Sequence, residues 1–237
     1  MEHPVVSREE WLAARKALLA RERVMTHQLD ALRAERRQLP WVRIDKPYVF
    51  EGPQGERTLG DLFAGRSQLA IYHFMLTPGS DHICAGCSYT VDHVDAARQH
   101  FEQADLAFAA VSRAPLRQIE AVRERMGWTF PWVSSHGSDF NFDFGVSFTP
   151  EDIAAGRATY NYGTPIRSSE DMFGISVFVK GDRDAVFHSY STFHRGTELT
   201  MGAFNWLDLA PKGRNEAGTM SWVRLHDEYP QAGKQRA

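Results

Sequence analysis

The stretch LAIYHFMLTPGSDHICAGC, residues 69–87, decides the fold of this chain. Residues 69–76 form a nearly continuous apolar run of strand length, which is typical of a central strand covered on both faces. Residues 77–82 contain proline, glycine, serine and aspartate and predict a loop. We expect a helix from Cys84 to about residue 103, so that Cys84 and Cys87 open a helix directly after a buried strand.

The elements that follow repeat this order. Residues 105–111 predict a second buried strand, and Pro115 begins a helix that ends at Met126. Proline is tolerated in the first turn of a helix, where its missing N–H has no partner to lose. A strand, helix, strand, helix order predicts parallel strands joined by right-handed crossovers.

The second half of the chain completes a mixed sheet. Residues 175–179 and 185–191 predict an antiparallel hairpin, and residues 199–209 predict a last helix. A Cys-x-x-Cys pair that opens a helix in this order of elements is typical of thioredoxin-like proteins. We therefore expect a thioredoxin-like α/β domain over residues 66–210, a three-layer sandwich around a mixed central sheet.

The N-terminal segment predicts a long amphipathic helix. Ser7 and Glu10 form a capping box, and the apolar period continues to about residue 37, before Pro40. The apolar positions recur at helical spacing: Trp11, Leu18, Met25, Leu29 and Leu32. The helix is either packed with an arginine-rich solvated face or a dimerisation arm, which would make the protein a homodimer.

A hairpin precedes the main domain. Residues 48–50 and 58–59 flank a Gly-Pro-Gln-Gly turn. We divide the chain into the N-terminal helix, residues 1–40, the thioredoxin-like domain, residues 41–215, and an irregular tail, residues 216–237.

Composition narrows the partners and the compartment. The 27 basic and 30 acidic residues give a net charge of −3, so neither nucleic acid nor an anionic membrane is expected as a partner. No apolar run approaches the roughly 20 residues that span a bilayer. The first residues lack the basic start and apolar stretch of a secretory signal, so we expect a cytoplasmic protein. In a reducing compartment, two cysteines three positions apart suggest redox or metal chemistry.

The helix start would suit a reactive thiol. The thiolate attacks a disulfide, and free N–H groups at a helix N-terminus favour an anion. Cys87 shares a helical stripe with Val91, Val94 and Phe101, which must face the sheet. Cys84 is therefore expected to be the accessible nucleophile and Cys87 the half-buried resolving thiol.

Metal binding is the alternative for the same residues. His82, Cys84 and Cys87 offer three donors, but His93 points about 120° away around the helix, so a four-ligand zinc site is disfavoured. Two thiolates select copper(I), which would need His82 or a histidine from elsewhere, such as His188. No other cofactor is expected.

Further candidates surround the pair. His82 could stabilise the Cys84 thiolate or accept its proton. Arg113 follows the second strand at the edge where parallel sheets bind ligands. His73 lies inside the first buried strand and is more typical of a hydrogen-bonded core histidine.

Residues 136–172 predict an ordered excursion in which Phe140, Phe142 and Phe144 mark one face of an extended segment.

Several strings resemble a known family. They are residues 72–75 (YHFM), 84–88 (CAGCS), 111–115 (VSRAP), 126–135 (MGWTFPWVSS), 138–141 (SDFN), 187–191 (FHSYS) and 208–214 (DLAPKGR). They are similar to the bacterial thioredoxin-like family known as domain of unknown function 899, and the similarity covers nearly the whole chain. The resemblance implies the fold rather than an activity.

The layout is also distantly similar to peroxiredoxins of the alkyl hydroperoxide reductase type. Two features differ. Peroxiredoxins place a hydroxyl residue three positions before the reactive cysteine, whereas here Ser80 is four and Thr77 seven positions before Cys84. Thioredoxins carry a proline just before the third core strand, whereas residues 173–175 are Phe-Gly-Ile.

The sequence thus predicts a thiol–disulfide oxidoreductase, or a peroxidase-like activity, in which Cys84 attacks and Cys87 resolves. The substrate would be a small-molecule or protein disulfide. A copper-binding protein of the same fold is the first alternative. A redox-inert module that dimerises through its long helix is the second.

Overall fold

The computed structural model describes residues 3–230 and divides the chain into two compact units, residues 1–40 and residues 41–237. The first unit is dominated by one helix, α1 (Arg8–Arg37), as predicted. Ser7 Oγ accepts the Glu10 N–H at 3.2 Å, and the Glu10 carboxylate accepts the Ser7 N–H at 2.9 Å, which completes the capping box. No residue of α1 is buried.

The second unit holds the sheet and the remaining helices. Its strands are β1 (Val42–Arg43), β2 (Val49–Gly52), β3 (Gly55–Thr58), β4 (Gln68–His73), β5 (Leu106–Ser112), β6 (Trp132–Ser134), β7 (Thr159–Tyr160), β8 (Thr164–Pro165), β9 (Gly174–Lys180) and β10 (Val186–Phe193). Its α-helices are α2 (Ala85–Val91), α3 (Val94–Phe101), α4 (Leu116–Met126), α5 (Phe140–Asp143), α6 (Pro150–Ala154) and α7 (Gly202–Leu209). Short 3-10 turns cover Asp61–Phe63, Asp182–Asp184, His194–Thr200 and His226–Glu228.

Eight of these strands form one mixed sheet in the order β1-β10-β9-β4-β5-β6-β2-β3. β4 pairs in parallel with β5, and β5 with β6, while β9 and β10 are antiparallel to their neighbours. The central order β10-β9-β4-β5, with the helices α2 to α4 between the parallel strands, is that of a thioredoxin-like domain. The predicted fold class is confirmed.

The sheet carries a separate core on each face. Successive residues of a strand point to opposite faces, so Ile71 belongs to one core and Tyr72 to the other. The Tyr72 side packs α2 and α4 and includes Cys87, which is 1% exposed. The Ile71 side packs α5 through Phe140, which is fully buried. The cysteine pair therefore lies on one face only.

The helix predicted over residues 84–103 is interrupted. It forms α2 and α3, separated at Asp92 and His93. Both residues bond to distant parts of the chain: Asp92 Oδ1 accepts the Trp128 Nε1–H at 2.7 Å, and His93 Nε2 accepts the Ala203 N–H at 3.0 Å. The junction between the two helices is thereby joined to β6's neighbour Trp128 and to the start of α7.

The segment with Phe140, Phe142 and Phe144 is helical rather than extended, which corrects the prediction. Phe140 and Phe144 lie one turn apart in and after α5, and both rings stack near His73, with centroids 5.6 Å and 6.0 Å from it. Phe142 instead faces Arg113, whose guanidinium lies 5.5 Å from the ring centroid.

The C-terminal segment, residues 211–230, has little regular structure, yet Val223 and Leu225 are buried. Leu225 joins the same core as Cys87, and Val223 packs with Tyr89 and Phe204. Within residues 3–230, no helix is both long and apolar enough to cross a bilayer.

Candidate functional site

The Cys84-Ala85-Gly86-Cys87 turn begins α2. Cys84 is the N-cap residue, with extended backbone angles, and its Sγ accepts the Cys87 N–H at 3.2 Å. The first helical bond runs from the Ser88 N–H to the Cys84 carbonyl at 2.9 Å. A cysteine sulfur thus caps the helix as a serine hydroxyl would, because it satisfies an N–H group that the helix itself leaves without a partner.

The loop before Cys84 is held by one side chain of α4. Gln118 Nε2 donates to the Thr77 carbonyl at 3.1 Å and to the Ser80 carbonyl at 2.8 Å, while its Oε1 accepts the Gly79 N–H at 3.2 Å. Three hydrogen bonds from one amide restrict this loop and thereby the position of Cys84. Sequence reasoning missed Gln118, since nothing local marks it.

The surroundings of the two thiols shift their pKa values in opposite directions. Hydrogen bonding from the Cys87 thiol, together with the backbone N–H groups of Cys87 and Gly86, lowers the pKa of Cys84 below its usual range. Burial raises the pKa of Cys87 well above its usual range, and the neighbouring Cys84 adds to this. Cys84 is partly exposed, whereas Cys87 is fully buried. The structure thus contains one thiol suited to attack and one that stays protonated.

Tyr72 lies below the pair in the core. Burial raises the pKa of its hydroxyl well above the usual range, and both cysteines add to the effect. Its ring belongs to the same core as Cys87, where only 1% of Tyr72 is exposed. Tyr72 is therefore an uncharged, buried residue in the core that also contains Cys87.

His82 and Arg113 are placed differently from each other. His82 is exposed, its N–H donates to Ser80 Oγ at 3.2 Å, and within residues 3–230 its ring makes no hydrogen bond. Arg113 is engaged by carboxylates: its Nε donates to Asp171 at 2.9 Å and its Nη2 to Glu170 at 3.0 Å. A role for His82 as proton acceptor stays a prediction.

Asp171 joins the Arg113 end of the sheet to the cysteine loop. It is nearly buried and also accepts hydrogen bonds from Thr77 Oγ1 and Ser147 Oγ, each at 2.6 Å. Thr77 stands in the loop that leads to Cys84. Arg113 is thus linked through Asp171 to the loop that leads to Cys84, and a role for it in the site stays a prediction.

The described residues, 3–230, contain no group of three or more histidine, cysteine, aspartate or glutamate side chains arranged to hold a metal ion. His93 Nδ1 lies 2.7 Å from the Tyr89 carbonyl, and His188 Nε2 lies 2.7 Å from Ser191 Oγ. Each of these two histidines thus has a ring nitrogen at hydrogen-bond distance from another group of the protein. Copper binding by Cys84, Cys87 and His82 stays a prediction.

Met220 is a neighbour of the site that the sequence did not reveal. A Cβ atom built on Gly86 would lie 3.4 Å from Cε and 3.7 Å from Sδ of Met220, and 3.9 Å from Sγ of Cys84. The C-terminal segment therefore places a thioether beside the reactive turn. Only tertiary structure brings residue 220 to this position.

Several peroxiredoxins are among the solved structures that resemble this chain. A mutant of peroxiredoxin Q from Xanthomonas campestris is 16% identical, covers 71% of this chain and 98% of its own, and gives a TM-score of 0.42. Peroxidoxin BcpB from Mycobacterium tuberculosis is 15% identical, with coverages of 70% and 97% and a TM-score of 0.40. A mutant of peroxiredoxin 6 from Arenicola marina is 14% identical, with coverages of 70% and 73% and a TM-score of 0.41.

No curated protein matches this chain. A family model does match it, and the match includes both cysteines, the sheet and the C-terminal segment over Met220. Since the model described as bacterial protein of unknown function (DUF899) matches residues 1–229, this protein belongs to that family, as its sequence suggested.

Proposed function

We propose that this protein is a thiol–disulfide oxidoreductase in which Cys84 is the nucleophile and Cys87 the resolving cysteine. The observation that carries the proposal is the contrast between the two sulfurs. Residue Cys84 is partly exposed, its Sγ accepts the Cys87 N–H at 3.2 Å and its pKa is lowered, while Cys87 is buried with a raised pKa. A stabilised thiolate next to a protonated thiol suits disulfide exchange.

The reaction has two exchange steps. The Cys84 thiolate attacks one sulfur of a substrate disulfide, the substrate S–S bond breaks, and the first substrate thiol leaves after taking up a proton. Cys87 then loses its proton, attacks Cys84 Sγ and displaces the second substrate thiol. The substrate gains two electrons and two protons, and the protein keeps a Cys84–Cys87 disulfide, which an external dithiol must reduce before the next cycle.

The test compares single cysteine variants with a small disulfide as substrate and dithiothreitol as reductant. Cys84→Ser should lower the rate at least about a hundredfold, because serine is a far weaker nucleophile at neutral pH. Incubated with the small disulfide in the absence of dithiothreitol, Cys87→Ser should keep a mixed disulfide on Cys84 that mass spectrometry detects, because the resolving thiol is missing. A Cys84→Ser variant that keeps the wild-type rate would disprove the proposal, and Gln99→Ala, at an exposed position of α3, serves as the control.

We also propose that α1 joins two copies of the chain. None of its residues is buried, and four large apolar side chains recur every seven residues: Trp11, Leu18, Met25 and Leu32, exposed by 46%, 48%, 68% and 52%. A stripe repeated at this interval is the pattern by which two helices pack along each other. The long helix would then cover its apolar stripe with that of a second copy.

A further inference from the structure

The environment of Met220 suggests which disulfides reach Cys84. Both Met220 Sδ and Cys84 Sγ lie within 4 Å of a single point above Gly86. Cys84 is only partly exposed, and Met220 is itself half-buried over the Cys84–Cys87 turn. The thioether and the Cys84 sulfur therefore border the same space above Gly86.

The backbone conformation of Met220 determines where its side chain lies. It has φ of +56°, a left-handed conformation that is unfavourable for a residue with a Cβ atom. The Glu216 carboxylate accepts the Met220 N–H at 3.0 Å and so stabilises this conformation. Because an unfavourable backbone conformation persists only where its surroundings enforce it, the position of the thioether is determined by the fold.

The segment around Met220 is anchored before it. Arg214 donates to Asp208 at 3.1 Å and to Glu198 at 3.0 Å, and its guanidinium lies 4.1 Å from the Phe204 ring centroid. Trp222 Nε1 donates to the Arg214 carbonyl at 2.8 Å and closes the segment into a loop. These contacts tie the loop to the α7 side of the domain.

The segment is also anchored after Met220. Arg125 of α4 donates to Asp227 at 2.8 Å and to Glu228 at 3.0 Å, and His226 Nδ1 lies 2.7 Å from Asp92 Oδ1. Leu225 is buried in the same core as Cys87. Anchors on both sides restrict the movement of Met220 away from the turn.

The loop before Cys84 is held in place too. The preceding loop is fixed by the three hydrogen bonds of Gln118 and by the Thr77–Asp171 bond. Ile83 packs against the core beside Cys84. A substrate that enters the space above Gly86 therefore meets a thioether and a neighbouring loop that are both held in place.

We propose that Met220 restricts Cys84 to low-molecular-weight disulfides and excludes disulfides carried by folded proteins. This inference rests on the proposed thiol–disulfide exchange. The Cα atoms of a protein disulfide lie roughly 4.4–6.8 Å apart, so the attacked sulfur brings two backbones close to the attacking one. Those backbones would overlap the space that the Met220 side chain occupies, whereas a small disulfide has no protein backbone attached to it.

The first experiment measures the reduction of hydroxyethyl disulfide and of insulin by the full-length protein. Met220→Ala should raise the ratio of the insulin rate to the hydroxyethyl disulfide rate by roughly tenfold, which is about 1.4 kcal/mol of activation free energy. Met220→Leu keeps the bulk without the sulfur and should keep the wild-type ratio. Met201→Ala, which removes another methionine from the same cluster with Tyr89 and Phe204, is the matched control and should also keep it.

A second measurement tests access to Cys84 independently of catalysis. In a Cys87→Ser background, Cys84 is alkylated by iodoacetamide or by a maleimide carried on a polyethylene glycol chain, and the ratio of the two rates is compared with and without Met220→Ala. The bulky reagent should gain at least about fivefold relative to the small one. Equal ratios in both experiments would overturn the role of Met220 while leaving the exchange chemistry intact. Absence of disulfide reduction with a gain in the alkylation ratio would instead overturn the exchange chemistry.

Discussion

At the scale of single residues, the two cysteines owe their difference to each other. Bonding from the Cys87 thiol is the largest cause of the lowered pKa of Cys84. Cys87→Ala removes that donor, although the Cys87 N–H remains. We expect the alkylation of Cys84 by iodoacetamide to shift to higher pH in this variant, because the thiolate loses its strongest stabilising bond.

The measurement is the pH dependence of the alkylation rate, followed by mass spectrometry of the Cys84 peptide. The Cys87→Ser variant is the matched control, since a serine hydroxyl still donates a hydrogen bond and should keep more of the lowered pKa. Identical pH profiles for Cys87→Ala and wild type would show that backbone N–H groups alone set the reactivity of Cys84.

A second residue-scale prediction concerns His73 on the opposite face of the sheet. His73 Nε2 lies 2.8 Å from Ser176 Oγ, its Nδ1 is buried with no hydrogen-bond partner within residues 3–230, and burial lowers its pKa to about 3. Below about pH 6.5 the unfolded chain takes up a proton on this histidine that the native state refuses. Acidification from pH 7 to pH 5 should therefore lower the free energy of unfolding, by roughly 2 kcal/mol from this group.

The measurement is urea denaturation at pH 7 and pH 5 for wild type and His73→Gln. Glutamine keeps a polar group near Ser176 but does not titrate, so the variant should lose less stability on acidification than wild type does. Other titrating groups act equally in both proteins and cancel in the difference. Parallel losses in the two proteins would show that His73 takes up its proton in the folded state.

At the scale of elements, Asp92 joins the α2–α3 junction to two distant parts of the chain. Its carboxylate accepts the Trp128 Nε1–H at 2.7 Å and lies 2.7 Å from His226 Nδ1. Asp92→Ala would leave the nearly buried indole N–H without a partner and should lower the free energy of unfolding by about 2 kcal/mol. Chemical denaturation checks this, with the exposed Asp81→Ala as control, which should change stability by less than about 0.5 kcal/mol. Equal values for both variants would contradict a structural role of Asp92.

The elements that the sequence predicted well are those that local patterns determine. Capping and period placed α1 at residues 8–37, and apolar runs placed β5 within one residue and β4 within three. The sequence predicts an extended segment at α5 because Phe140, Phe142 and Phe144 have a spacing of two, yet Phe140 and Phe144 also have the helical spacing of four. Local patterns contain no information on such choices when only three or four residues are involved.

For the candidate site, too, the sequence predicted local features but not the contacts between distant residues. Spacing alone placed Cys84 and Cys87 at a helix start, and the helical stripe predicted which of the two is buried. The partners of the site are distant in sequence: Arg113 meets Asp171, and Gly86 meets Met220. Tertiary packing decides such contacts, so a single sequence offers no signal for them.

At the scale of the whole molecule, the apolar stripe of α1 leads to a prediction on oligomeric state. The helix is about 45 Å long, and a single copy leaves the stripe facing water. Burying an apolar side chain of this size contributes about 1.5–3 kcal/mol, so several of them can hold two copies together. We expect the full-length protein to sediment as a dimer.

The decisive variant carries Leu18→Glu and Met25→Glu, which place two carboxylates per chain inside the stripe. Glutamate is a good helix former, so α1 should persist while the dimer dissociates through charge repulsion and lost burial. The matched control carries Ala20→Glu and His27→Glu, two exposed positions on the opposite side of the helix, and should remain dimeric. Sedimentation of both variants and of wild type over a range of concentrations distinguishes these outcomes. Wild type that stays monomeric throughout, or a control that dissociates as readily as the stripe variant, would rule out pairing through this face. Because thiol exchange is proposed to need only Cys84 and Cys87, the stripe variant should still reduce small disulfides at the wild-type rate.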